Sequence, residues 1–118
     1  INTIWNGESI MHFPNQAHLI FNKKIGEGLA LKNLNHKDLV IKNRVGGERF
    51  KPDLNRPSRS LKVVLQISHV PPWQREQLPI IYLNDVLVII PNIGVDANFK
   101  ADSDEMGLVV TWHIGSEE

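Results

Sequence analysis

The chain has 118 residues, 42% hydrophobic and 22% charged, a length and composition typical of one soluble globular domain with a modest core. It contains no cysteine, which excludes disulfides and thiolate metal sites, and no apolar run approaches the roughly 18 residues of a transmembrane helix. Its formal net charge of zero argues, taken alone, against a nucleic-acid partner.

The first 35 residues consist of short apolar segments separated by turns. Residues 10–13 and 18–21 flank the turn-forming sequence PNQA, which predicts a β-hairpin. We interpret residues 1–35 as a short β segment that ends an upstream region, and residues 36–118 as the domain that follows. Because the chain begins with Ile, we expect it to be a fragment of a larger protein.

A strand and a glycine turn open the middle of the chain. Residues 39–41 are apolar and lead into a basic segment, where Gly46 and Gly47 interrupt the strand, because glycine enters positive φ at little cost. The residues ERF that follow can resume as a strand, with Phe50 pointing inward and Arg49 outward.

Two short helices are predicted next. Apolar residues and a serine at positions 61, 64, 65 and 68 follow the helical period, and Ser58 or Ser60 can cap the helix. The pair Pro71-Pro72 ends this helix and can begin a second one, since proline suits a first turn.

The last third of the chain predicts more sheet. Two almost wholly apolar runs, residues 80–83 and 86–90, flank Asn84-Asp85 and predict a hairpin that is buried on both faces. A short strand near Val95 and a final strand over residues 108–114 follow. The predicted fold is α+β: a small mixed β-sheet domain with two short helices, preceded by a short β segment.

The sequence offers no convincing catalytic or metal site. Its five histidines have no metal-ligand spacing, so we interpret them as scattered surface or core residues. The double glycine is followed by Glu48 and not by Lys-Ser or Lys-Thr, which argues against an ATP phosphate cradle. No cofactor or metal is therefore predicted in this chain.

Charge is strongly segregated along the chain. Residues 42–75, which we call the basic segment, contain eight lysines and arginines but only two acidic residues, a net charge of +6. They include all five arginines of the chain. The guanidinium fork matches phosphate oxygens, and the predicted helix start adds free backbone N–H groups nearby. The pattern fits a solvated surface, a nucleic-acid interface or a docking face for an acidic protein partner.

Four ordered blocks within residues 44–96 resemble the C-terminal domain of the bacterial tRNA(Ile)-lysidine synthetase family. They are RVGGERFKP, RSLKVVLQ, VPPWQREQLPIIY and DVLVIIPNIGVD. The segment IWNGESIMHFP resembles the end of the intermediate region that precedes this domain in the family. The resemblance implies a fold similar to a domain of the phenylalanyl-tRNA synthetase β subunit.

The resemblance also implies a function. The parent enzyme is an ATP-dependent carbon–nitrogen ligase that converts the wobble cytidine of tRNA(Ile) to lysidine in the bacterial cytoplasm. Its catalytic domain carries an SGGxDS loop, ATP and Mg²⁺, and no such loop occurs in this chain. Two partners are implied, tRNA(Ile), whose acceptor stem the C-terminal domain grips, and the missing N-terminal catalytic domain. The alternative is a non-catalytic docking module whose basic face binds another protein domain.

Candidate site residues follow from the basic segment and the matched blocks. Pro72 and Trp73, in VPPW, are interpreted as helix-packing residues. Where many relatives have a linker containing glycine or serine, this chain has DLNRPS. The candidate tRNA-binding residues are Arg44, Arg49, Lys51, Arg56, Arg59, Lys62 and Arg75, with Gly46 and Gly47 as loop-forming residues.

Overall fold

The fold is built almost entirely from antiparallel strands, in a computed structural model that describes residues 2–35 and 37–115. Two sheets, a two-stranded hairpin and two short helices make it an α+β domain, which confirms the predicted fold class. In chain order the elements are β1 (Asn2–Ile4), β2 (Ile10–His12), β3 (His18–Ile25), β4 (Leu29–Ala30), a 3-10 turn (Leu31–Leu34), β5 (Leu39–Lys42), β6 (Arg49–Phe50), β7 (Arg59–Ser60), α1 (Leu61–Ile67), α2 (Pro72–Arg75), β8 (Ile80–Leu83), β9 (Val86–Ile90), β10 (Gly94–Val95), a second 3-10 turn (Ala97–Phe99) and β11 (Met106–His113).

The first sheet has the strand order β1-β5-β8-β9-β10. Its β8–β9 hairpin is the one predicted, with Asn84 at φ +55° in the tight turn. All four residues of β8 are buried. Because strand side chains alternate between faces, burial of four in succession requires cover on both sides of the sheet.

The second sheet has the strand order β2-β3-β11-β4. The predicted hairpin is confirmed, since β2 pairs with β3. Strand β11 lies antiparallel to the full length of β3, from the pair Met106–Ile25 to the pair His113–His18. The central pair of this sheet therefore joins residues from near the two ends of the chain.

Both sheets contain strands from each side of the predicted boundary at residue 35. Strand β1 pairs with β5, and β3 pairs with β11. One continuous apolar cluster includes Leu19 and Phe21 together with Ile41 and Leu65. Whether the two parts are separate domains in a longer protein stays a prediction.

Helix α1 follows the predicted pattern. The Ser60 hydroxyl accepts a hydrogen bond from the Val63 amide at 3.3 Å, so Ser60 is the N-cap, and Leu61, Val64 and Leu65 are buried. At seven residues it is the longer α-helix, and the described ranges contain no helix of a length and apolarity that could cross a membrane.

Helix α2 corrects one prediction. Pro72 begins it as expected, but Pro72 is exposed and Trp73 is 70% exposed, so their interpretation as packing residues is wrong. The helix is a single turn, and its half-buried side is formed by Gln74 and Arg75 instead. One turn cannot direct four successive side chains at the same core.

One side chain connects the two sheets. Asn92, in the turn after β9, donates from Nδ2 to the Trp112 carbonyl and accepts from the Trp112 amide, both at 2.8 Å. Strand β4 pairs with β11 only at Gly107 and Leu108. The Asn92 side chain therefore pairs with the backbone of β11 farther along the strand. Its φ of +69° is one that asparagine tolerates better than most residues.

Candidate nucleic-acid interface

The loop between β5 and β6 closes around an acidic side chain. Glu48 accepts hydrogen bonds from the amides of Val45 and Gly46, at 2.6 and 2.9 Å. Gly46 and Gly47 have φ of +115° and +80°, values that strongly favour glycine. Two of the backbone N–H groups that could hold a phosphate are thus already bonded to a carboxylate of the same loop.

Glu48 is also anchored to the first sheet. The hydroxyl of Tyr82, on β8, donates to the Glu48 carboxylate at 2.6 Å. Burial raises the pKa of Glu48, but the hydrogen bonds from Tyr82, Val45 and Gly46 outweigh it and leave the pKa below its usual value. Burial and the negative charge of Glu48 raise the pKa of Tyr82. At neutral pH the loop is therefore held by a charged carboxylate and a neutral phenol.

Three of the seven candidate cations bond to backbone carbonyls of their own segment. Arg49 donates from Nη2 to the carbonyl of Ser58 at 2.7 Å. The ammonium of Lys51 donates to the Arg56 carbonyl at 2.8 Å. Arg75 donates from Nε to the Val70 carbonyl at 2.7 Å. These contacts hold the irregular chain around β6, β7 and α2 in place.

The other four candidates are Arg44, Arg56, Arg59 and Lys62. Their side chains make no hydrogen bond or ion pair with any residue in the part of the chain that the structure describes. An unpaired guanidinium or ammonium on the surface keeps its donors for water or for an anionic ligand. The structure thus divides the predicted set into bracing cations and free cations.

The free cations border two depressions. Arg44 and Lys62 border a groove of about 360 Å³, which we call the loop groove, together with Gly46, Gly47 and Ser60. The Leu61 amide donates to the Glu48 carbonyl at 3.0 Å and fixes the base of this groove. Arg56 and Arg59 border a smaller pocket of about 220 Å³, which we call the β6–β7 pocket.

Lys100 is a site residue that the sequence did not reveal. It lines the β6–β7 pocket, and its ammonium donates to the Pro52 carbonyl at 3.0 Å. Lys100 lies outside the basic segment and near the acidic residues Asp102, Asp104 and Glu105, so charge patterning gave no signal for it.

Three of the five histidines meet on the second sheet. His12, His18 and His113 form a cross-strand row on β2, β3 and β11, with ring centroids 6.0 and 5.0 Å apart. The interpretation of the histidines as scattered is wrong for these three. No group of three or more His, Asp or Glu side chains within residues 2–35 and 37–115 is arranged to hold a metal ion.

The comparison with known families decides the classification. A family profile described as the TilS substrate C-terminal domain matches residues 39–112. The chain belongs to this family. The four blocks that carried the resemblance all lie inside the matched range, so the resemblance is confirmed.

Individual relatives of the TilS family agree. The tRNA(Ile)-lysidine synthase of Nitrosomonas europaea is 40% identical over 111 residues, which cover 93% of this chain and 24% of that protein. The protein of the same name from Coxiella burnetii is 31% identical with the same coverage. The chain thus spans about a quarter of the length of these curated relatives.

A solved structure described as the crystal structure of the TILS C-terminal domain has the same fold. It matches 99% of this chain and 100% of its own with a TM-score of 0.73 and 14% identity. The match extends beyond residues 39–112 to the strands β1–β4, which the family profile does not include.

Proposed function

We propose that this domain binds tRNA(Ile) for a tRNA(Ile)-lysidine synthetase, and that it grips the acceptor stem through phosphate contacts. The observation that carries the proposal is the group of four free cations in the basic segment. The other three candidate cations of that segment are already bonded to backbone carbonyls. Double-stranded RNA is recognised largely by its shape, its phosphates and its 2′-hydroxyls, which suits such a surface.

The division of the cations assigns different roles within this proposal. Arg44, Arg59 and Lys62, with Arg56 at the edge, contact phosphates. Arg49, Lys51 and Arg75 hold the backbone that presents them. Loss of a contact residue removes a charge from the interface, whereas loss of a bracing residue loosens the loop.

The parent's chemistry lies elsewhere in this proposal. The ligation, ATP and Mg²⁺ belong to an N-terminal catalytic domain, and both domains act in the cytoplasm. The sequence of the present chain supports this assignment only in lacking the SGGxDS loop.

A salt titration with an acceptor-stem duplex of tRNA(Ile) tests the proposal. Each of Arg44→Ala, Arg59→Ala and Lys62→Ala should weaken binding and reduce the log–log salt slope by roughly 0.7–0.9, the contribution of one phosphate contact in DNA. Arg49→Ala should lower the melting temperature but change the slope less. Lys23→Ala, an exposed lysine outside the segment, is the matched control and should change neither.

Unchanged duplex affinity in the triple variant of Arg44, Arg59 and Lys62 would overturn the proposal. Binding of the catalytic domain through the same three residues, without RNA binding, would favour the docking alternative. Fluorescence anisotropy at two salt concentrations separates these outcomes.

A further inference from the structure

The β6–β7 pocket combines accessible apolar and cationic side chains. It neighbours the loop groove along the chain, since Arg59 lines the pocket and Ser60 lines the groove. Its accessible apolar side chains are Ile67 and Ile93, over the buried residues Phe50, Val64 and Val95, and the rest of its lining is Pro52, Ser68, Gly94, Arg56, Arg59 and Lys100.

This lining suits a ligand that places a flat apolar group against Ile67 and Ile93 and an anionic group at the guanidinium groups. Simple phosphate contact with a duplex needs no apolar lining. A nucleotide combines the two properties, because its base packs on aliphatic side chains and guanidinium planes while its phosphate meets the cations. The volume of about 220 Å³ is below the roughly 300–1,000 Å³ of drug-sized sites, so it suits a single base.

The lining is available for such a ligand. Ile67, at the end of α1, is 53% exposed, and Arg56 and Arg59 have no protein partner among the described residues. Lys100 has one of its three donors engaged by the Pro52 carbonyl. The pocket therefore offers an exposed apolar side and two unengaged guanidinium groups.

We propose that the β6–β7 pocket binds one unpaired nucleotide of the RNA, adjacent to the stem whose phosphates meet Arg44, Arg59 and Lys62. This inference rests on the proposed function and adds a single-strand subsite to it. In an acceptor stem the unpaired nucleotides are those of the single-stranded 3′ end. The base lies against Ile67 and Ile93, and its phosphate lies at Arg56, next to the stem contact of Arg59.

Gly94 provides a way to fill the pocket. A Cβ placed on Gly94 meets only the Phe50 ring, at 3.8 Å, and the φ of Gly94 is not positive. Gly94→Val should therefore fold and occupy the space of the base. Ile67→Ser removes apolar lining from an exposed position, and Val63→Ser, an exposed residue of the same helix outside the pocket, is the control.

The test compares two RNAs, a blunt acceptor-stem duplex and the same duplex with a four-nucleotide 3′ tail. The tail should tighten binding about tenfold, as expected for one well-packed base. Gly94→Val and Ile67→Ser should each remove most of this gain without changing affinity for the blunt duplex. Val63→Ser should retain the gain.

Two results would overturn the inference. One is that the tailed RNA binds no more tightly than the blunt duplex, or that both pocket variants keep the affinity gained from the tail. The other is binding of free cytidine or adenosine 5′-monophosphate as tightly as the tailed RNA, which would reassign the pocket to a free nucleotide. Salt-dependent binding of the blunt duplex through Arg44 and Lys62 would leave the proposed function standing in either case, and its absence would remove both.

Discussion

At the scale of single residues, the acidic side chain of Glu48 organises the loop between β5 and β6. Its carboxylate accepts hydrogen bonds from two amides and from Tyr82, and its pKa lies below the usual value. The folded state therefore takes up this proton less readily than the unfolded chain. The stabilisation is fully present above the unfolded pKa, near 4.5, and is lost as the pH falls through the lower folded pKa.

Glu48→Gln should therefore lower the free energy of unfolding at pH 7 and flatten its dependence on pH below about 4.5. Urea denaturation at pH 7 and at steps down to pH 3 measures both effects. The matched control is Glu76→Gln, an exposed glutamate whose carboxylate has no bonded partner in the described ranges. Parallel pH curves for wild type and Glu48→Gln would contradict this role.

The sequence predicted which residues form the basic segment, but not how their charges are used. The hydrogen bond from Arg49 depends on where the DLNRPS turn places the Ser58 carbonyl. Local residue propensities do not predict the path of that turn. Likewise, His12, His18 and His113 lie far apart along the chain and meet only because three strands pair in one register.

At the scale of elements, Asn92 acts as a one-residue extension of the second sheet. Its two hydrogen bonds with the Trp112 backbone attach the first sheet to β11. A side chain in this role must have both a donor and an acceptor at its end, and its backbone must tolerate positive φ.

Asn92→Ala should destabilise the domain by about 2 kcal/mol or more, because it removes two hydrogen bonds and places alanine at positive φ. Asn92→Gly removes the bonds but keeps the backbone unstrained, so the difference between the two variants measures the strain. Hydrogen exchange at the Trp112 amide should accelerate in both.

Asn84→Gly is the control, because Asn84 also has positive φ but lies in the β8–β9 turn of the first sheet. It should leave the Trp112 amide protected. Continued protection of that amide in Asn92→Ala would show that other contacts hold the two sheets together.

Elements with a strong local pattern were predictable and short ones were not. The β8–β9 hairpin and the buried face of α1 follow from apolar spacing and turn residues. The burial of Trp73 was predicted wrongly. A large aromatic side chain in a predicted helix is usually packed, whereas the single turn of α2 leaves Trp73 in solvent. The three residues of β1 show no pattern that predicts its pairing with β5.

At the scale of the whole molecule, the two sheets depend on both parts of the chain. Strand β11 loses its full-length neighbour if β3 is removed, and β5 loses its edge neighbour β1. Buried Leu19 and Phe21 would also leave the shared core. Four motif blocks predicted the family of this chain, but long-range pairing of this kind is set by register between distant strands and not by any local pattern.

A chain of residues 36–118 should therefore fail to fold cooperatively, whereas residues 1–118 should fold. Circular dichroism melts and the dispersion of amide proton signals in NMR spectra measure the difference. A dispersed spectrum and a cooperative melt for residues 36–118 would contradict this prediction and would support the boundary at residue 35 as a true domain limit.

The pairing of β3 with β11 also has a consequence during synthesis. A ribosome makes β2 and β3 early, but their central partner is made only after all the other strands. Until then Leu19 and Phe21 are exposed on an unfinished sheet with an open edge, the kind of surface that chaperones bind. The second sheet is therefore completed late, when β11 joins β3 and β4, and a ribosome that stalls before β11 would leave an aggregation-prone intermediate.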